Sequence, residues 1–132
     1  MGRFAGRLSG PDTRRESLEP RLKSELWVKA LIRRCFAAEV AAYLRHRGEA
    51  GAGAVLIIAA KDGQAVVYGR GLMTDGRWGW RRASGPSAIA AAEAEAYIER
   101  QRTFDPDLWV VEIEAPALEP FVDDPVEDYP NT

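Results

Sequence analysis

A chain of 132 residues with 46% hydrophobic and 29% charged residues has the makeup of one globular domain and too little material for two cores. One cysteine and one histidine exclude a disulfide framework and leave no ligand set for a structural zinc site or a histidine-based metal centre. The net charge of −2 is unevenly spread, with bases gathered before residue 34 and acids after residue 105, and an acidic total argues against general nucleic-acid binding.

The opening "MGRFAGRLSGPDTRRESLEP" is rich in Gly, Pro, Arg and Ser and lacks an apolar core. It reads as a disordered arm over residues 1–20, neither signal peptide nor membrane span, so a cytoplasmic protein with no membrane partner is expected. The domain then runs from 21 to 115, and 116–132 reads as an acidic, proline-rich tail.

Over Lys23 to Arg33 two periodicities compete. Alternation places Leu26, Val28, Ala30 and Ile32 on one face, whereas Trp27, Leu31, Cys35, Ala38 and Ala42 form a helical stripe. The polar alternation of Glu25, Lys29 and Arg33 favours a strand, followed by a helix from Cys35 to Arg47 with Arg45, His46 and Arg47 in its last turn before Gly48. Cys35 reads as an inert core thiol and His46 as a surface residue at a helix end.

"AVLIIAA" is apolar on both faces and reads as a central strand. "KDGQ" then supplies an Asp-Gly hairpin into "AVVYGRG", and "TDGR" a second turn into a strand with Trp78, Trp80 and Arg82 on one face. "SGPSAIAAAEAEAYIERQR" predicts a helix capped at Ser84 or Gly85, its stripe made of Ile89, Ala90, Ala94, Tyr97 and Ile98. "LWVVEIE" is the final strand, after which Pro116, Pro120, Pro125 and Pro130 end regular structure. The sum is an α+β fold ordered β-α-β-β-β-α-β: a two-layer domain with four or five strands in a mixed or antiparallel sheet and both helices on one face.

Taken together, "RLKSELWVKALIRR", "GAVLII", "VVYGRG" and "FDPDLWVVEIE" make residues 21 to 115 resemble the bacterial domain of unknown function family 1491. That resemblance implies an alphaproteobacterial cytoplasmic protein. It brings no established activity, so no catalytic residue is carried over.

No catalytic motif stands out, and no cofactor or metal is expected. "GEAGAGAVL" precedes a strand and "YGRGLMTDG" lies between strands, so neither is placed as a dinucleotide loop must be. Glu112 and Glu114 share one side of the last strand, and the expected role is structural, pairing with Lys29 and Arg33 on the first strand; an enzyme using Glu112 and Arg33 is the lesser alternative.

The best candidate for binding is a sheet face carrying Arg33, Tyr68, Arg70, Trp78, Trp80 and Arg82, where arginine forks suit an anionic ligand and tryptophans anchor a protein partner. The plainer reading is that the tryptophans cap the core while the arginines lie over it. Stacking of bases on Trp78 and Trp80, with Arg70, Arg81 and Arg82 on phosphates, is the nucleic-acid alternative. A homo-oligomer burying that face is also expected, because a two-layer domain leaves one side of its sheet uncovered. The reading as a whole is a non-enzymatic binding or interaction module.

Overall fold

A computed structural model describes residues 23–127 of the chain, and the arm expected over residues 1–20 lies outside them. Helix α1 (Ser24–Ala37) comes first, followed by strands β1 (Ala42–His46), β2 (Val55–Lys61), β3 (Gln64–Leu72), β4 (Trp78–Arg82) and the short β5 (Ile89–Ala90). Helix α2 (Ala91–Phe104), β6 (Trp109–Glu114) and the two-residue β7 (Val126–Glu127) complete it. The sheet runs β1-β6-β2-β3-β4-β7, with β5 paired to β3 off that path. Pairing is antiparallel except for β2 with β6 and β4 with β7, so the sheet is mixed and the α+β class holds with more strands than expected.

The first helix and strand are exchanged relative to the sequence reading. Ser24, Trp27, Val28, Leu31 and Cys35 are the buried residues of α1, a 3.6-residue stripe, whereas Leu26, which alternation would bury, is 57% exposed. Burying Trp27, Leu31 and Cys35 along one stripe removes more apolar surface from water than alternation could, and the segment is rich in Leu, Glu, Lys, Ala and Arg, all good helix formers.

The helix stops where no glycine marks it. The Val40 amide donates to the Cys35 carbonyl at 2.8 Å and the Glu39 amide to that of Phe36 at 3.0 Å, with Glu39 at φ 62°. This is a Schellman closure with glutamate in the left-handed position that glycine usually fills. His46 consequently sits in a strand, its Nδ1 2.6 Å from the Leu108 carbonyl, an arrangement in which that nitrogen carries and donates the proton.

The two hairpins follow the sequence. Asp62 and Gly63 both adopt positive φ, 53° and 81°, the pair a two-residue turn with right-handed strand twist demands. Gly76, at 88°, closes the second turn into β4. Helix α2 begins later than expected because Ile89 and Ala90 pair with Ala65 and Gln64 of β3 as β5. The Ala90 amide donates to the Glu93 carboxylate, capping the helix, while the Ser84 hydroxyl instead accepts from the Val67 amide at 2.9 Å.

Two apolar clusters lie on opposite sides of the sheet. One joins α1 to Ile57, Val66, Tyr68, Trp80, Trp109 and Val111; the other joins Ala94 and Ile98 of α2 to Leu56, Ile58, Val67 and Val110. Successive residues of β2, β3 and β6 alternate between them, so the helices cover both faces rather than one and the domain has three layers. The bare face that motivated a homo-oligomer is therefore not there. Trp27 and Trp109, the aromatic residues of the two Leu-Trp-Val segments, do share a core.

Replacing Glu39 by glycine removes the strain of a left-handed non-glycine residue, which costs roughly 1–2 kcal/mol. The expected outcome in urea unfolding is a variant more stable by up to about 1 kcal/mol, with an unchanged slope. A destabilised variant would contradict the assigned helix end.

Candidate functional site

The cross-strand register decides which of the expected residues meet. Tyr68 lies opposite Arg82, Arg70 opposite Trp80 and Leu72 opposite Trp78, so Tyr68, Arg70, Trp78, Trp80 and Arg82 do share a sheet face. It is the face that α1 covers. Trp80 is fully buried, and its ring lies 5.3 Å from that of Trp27 at an interplanar angle of 34°. The Arg70 guanidinium carbon sits 5.4 Å from the Trp27 ring and 5.9 Å from the Trp80 ring, with its side chain only 14% exposed. Trp78 and Arg82 are half-buried, and Arg33 is exposed on α1, apart from the other five.

A second covering comes from the chain beyond β6. Residues 116–127 cross the same face as a strap, and its attachments fall on the candidate residues. The Tyr68 hydroxyl donates to the Leu118 carbonyl at 2.7 Å, and Trp80 Nε1 donates to Asp124 Oδ2 at 3.3 Å, an oxygen 3.8 Å from Arg70 Nη2. The Trp80 amide donates to the Pro125 carbonyl at 2.9 Å, and Thr74 donates through its amide and hydroxyl to the Glu127 carboxylate. Leu118 turns the strap with φ 57°, and Leu118 and Val122 pack on the core. The segment expected to lack regular structure thus ends in β7. The signal was present: Leu118, Phe121, Val122 and Val126 interrupt the acids and prolines at intervals that a freely solvated tail does not need.

Between strap and sheet lies a cavity of about 450 Å³. Tyr68 and Arg82 line it from the sheet, and Leu118, Glu119, Pro120 and Val122 from the strap. Arg82 Nε is buried without a hydrogen-bond partner, and among the described residues the Arg82 side chain makes no ion pair. A guanidinium with donors left over beside a polar hollow is suited to a planar or tetrahedral oxyanion, which it grips through two parallel N–H donors.

The other expected groups are taken up elsewhere. The pairing of Lys29 and Arg33 with Glu112 and Glu114 does not occur, because both bases lie on a helix rather than on a strand beside β6. Lys29 bonds Glu25 one turn away at 3.3 Å, Glu112 pairs with Arg45 of β1, and Glu114 with Lys61 at 3.3 Å. Glu112 stands on the α2 face, opposite Tyr43 and Ile58, and Arg33 on the helix covering the other face, so the pair named for an enzyme is not brought together. Arg45 also reaches Glu95 of α2 at 2.6 Å, and Glu95 first, then Glu112, hold its charge more firmly than usual against partial burial.

Burial pushes the Cys35 thiol above its ordinary range, as an inert core cysteine requires. The "GEAGAGA" loop has its amides in use: Gly51 and Ala52 donate to the Glu49 carboxylate, and the Glu49 carbonyl accepts from Trp109 Nε1. No group of three or more His, Cys, Asp or Glu among the described residues could hold a metal ion, and none of the helices described is long and apolar enough to cross a membrane.

Residues 22–123 match the family described as protein of unknown function (DUF1491), a span ending just before the Asp124–Glu127 anchor. Two structures of a DUF1491 family protein from Caulobacter crescentus are similar to this chain. The crystal structure is 36% identical with a TM-score of 0.71, covering 80% of this chain and 99% of that one. The NMR structure is 35% identical with a TM-score of 0.70, covering 82% and 98%. A solution structure of a protein from A. tumefaciens is 35% identical with a TM-score of 0.62, covering 81% and 99%. No curated protein matches the chain.

The Thr74 hydrogen bonds hold the Glu127 carboxyl below its ordinary value of 4.5. A depressed folded-state value means that this anchor contributes above pH 4.5 and is lost as pH falls through the lowered titration. The Thr74 amide proton should therefore shift in NMR spectra with a midpoint below 4.5, and Thr74→Ala should return Glu127 towards 4.5. A midpoint at or above that value would contradict the Thr74 contact.

Proposed function

The chain belongs to the DUF1491 family, and from that starting point we propose that it is a non-enzymatic binding module whose ligand is a small oxyanion held by Arg82 in the cavity beneath the strap. One observation carries this reading: Arg82, whose side chain makes no ion pair among the described residues, lines a hollow of about 450 Å³, within the size range of small-molecule sites. Its neighbour Arg70, by contrast, is stacked on two indoles and faces Asp124. Of the arginines on this face, Arg82 has donors to offer.

The chemistry favours phosphate or carboxylate over a nucleic-acid strand. Of the two tryptophans expected to stack bases, Trp80 is fully buried, which leaves half-buried Trp78 without a second ring beside it on which successive bases could stack. What lines the hollow is one guanidinium with apolar neighbours in Leu118, Pro120 and Val122, and the Glu119 carboxylate beside them would repel ligands with charge spread over their whole length.

Thermal unfolding in the presence of inorganic phosphate, citrate or glucose 6-phosphate, at matched ionic strength, tests the proposal. At least one of them should raise the midpoint, since a ligand at a hundredfold excess over Kd stabilises the folded state by about 2.7 kcal/mol. Arg82→Ala should abolish the rise, and Arg82→Lys, which keeps the charge but not the fork, should lose most of it. A rise retained in Arg82→Ala, or none with any of the three, would overturn the reading.

A further inference from the structure

Two opposite charges line the hollow beneath the strap, and neither has a partner. Arg82 belongs to β4 and Glu119 to the strap, and among the described residues neither side chain makes an ion pair or a hydrogen bond, with each other or with any third group. Two acids further along the strap are committed, Asp124 to Trp80 Nε1 and Arg70, and Glu127 to Thr74. A guanidinium and a carboxylate that share a hollow without meeting are placed to be bridged by a molecule that carries both charges.

The backbone keeps Glu119 there against its own preference. Leu118 has φ 57°, a left-handed conformation that a bulky L residue rarely adopts. Its amide donates to the Ala115 carbonyl at 2.8 Å, and its carbonyl accepts from the Tyr68 hydroxyl at 2.7 Å, so the bend is tied down on both sides of the residue. Tyr68 lies opposite Arg82 in the register of β3 with β4, so one cross-strand pair positions both the guanidinium and the turn that leads into Glu119. Strain retained beside a hollow with unpaired charges is the pattern of a ligand site. The strap's other contributions to the lining are apolar, among them Leu118, Val122 and Val126.

We propose that the ligand of this hollow is a free α-amino acid with a branched apolar side chain. The proposal rests on the reading of Arg82 as an oxyanion site and names the molecule to which the anion belongs. The carboxylate lies in the Arg82 fork, the ammonium faces Glu119, and the hydrocarbon packs against Leu118, Val122 and Val126. Glu119 then acts as the selector, since a dianion meets repulsion there and an amino acid meets attraction.

Three compounds sharing one hydrocarbon separate these contributions: L-leucine, 4-methylpentanoate, which lacks the amino group, and 3-methylbutylamine, which lacks the carboxylate. Each is titrated into the full chain and followed by backbone amide NMR shifts. Leucine should bind more tightly than either fragment by about tenfold or more, with shifts centred on Tyr68, Arg82, Leu118 and Glu119. Glu119→Gln should bring leucine down to the affinity of 4-methylpentanoate without weakening 4-methylpentanoate itself, and Arg82→Ala should abolish binding of both. Leucine that causes no shifts, binds no tighter than 4-methylpentanoate or is indifferent to Glu119→Gln would overturn the amino-acid assignment, while the anion site would still stand on its response to phosphate. Binding of leucine and 4-methylpentanoate that persists in Arg82→Ala would bring down the Arg82 site and the assignment with it.

Discussion

The contact between Trp27 and Trp80, with Arg70 laid over both rings, is the constraint on which the arrangement of this protein turns. Trp27 sits in the first turn of α1 and Trp80 in the middle of β4, so one aromatic pair fixes where the helix crosses the sheet. Removing a buried tryptophan side chain of this kind costs roughly 3–5 kcal/mol, a large part of what holds a domain of this size together. With α1 seated there, the face of Tyr68, Arg70 and Trp80 becomes interior. Arg70 is then held in place as a cation over two rings, and Asp124 on the strap answers it. Arg82 lies one register step beyond and keeps its donors.

The ends of the chain are joined by a different logic. β1 and β6 are neighbours, with Tyr43 opposite Glu112, and the parallel pairing of β6 with β2 buries Val110 and Val111 on opposite faces. At the β1 edge, Arg45 gathers Glu112 and Glu95 and so ties strand to helix. Exposed pairs of this kind contribute about 0–1 kcal/mol each, and their value here is in fixing which strand lies beside which. The contrast between a basic first half and an acidic last half is thus resolved across the sheet by Arg45 and Lys61, and over its α1 face by Arg70 facing Asp124.

How much of this was legible follows from how local each signal is. The two Asp-Gly hairpins, the central strand at 55–61, the body of α2 and the strand at 109–114 are set by residues next to one another in sequence, and periodicity finds them. The first helix was not legible, because Lys23 to Arg33 satisfies both periods, and only burial of Trp27 against Trp80, far away in sequence, selects the helical one. Its end was hidden for a second reason: Glu39 takes a backbone conformation that normally announces itself as glycine, while the glycines at 48 and 53 belong to a loop pressed against the start of β6. The shared face of Tyr68, Arg70, Trp78, Trp80 and Arg82 was readable from alternation. What covers that face was not, since the strap's register on β4 depends on two residue pairs and on Gly79, where a Cβ would lie 2.6 Å from the Pro125 carbonyl oxygen.

The central claim is that this aromatic and arginine face is an interior, closed by α1 and the strap. Acrylamide quenching of tryptophan emission in a Trp78→Phe chain tests it most directly, because the three remaining indoles are those of Trp27, Trp80 and Trp109, exposed to 9%, 0% and 1%. The account predicts emission that is blue-shifted and almost wholly protected from quencher in the folded chain, becoming accessible only on unfolding. A readily quenched fraction of about a third or more under native conditions would mean that at least one of these rings stands open to solvent, and would contradict it.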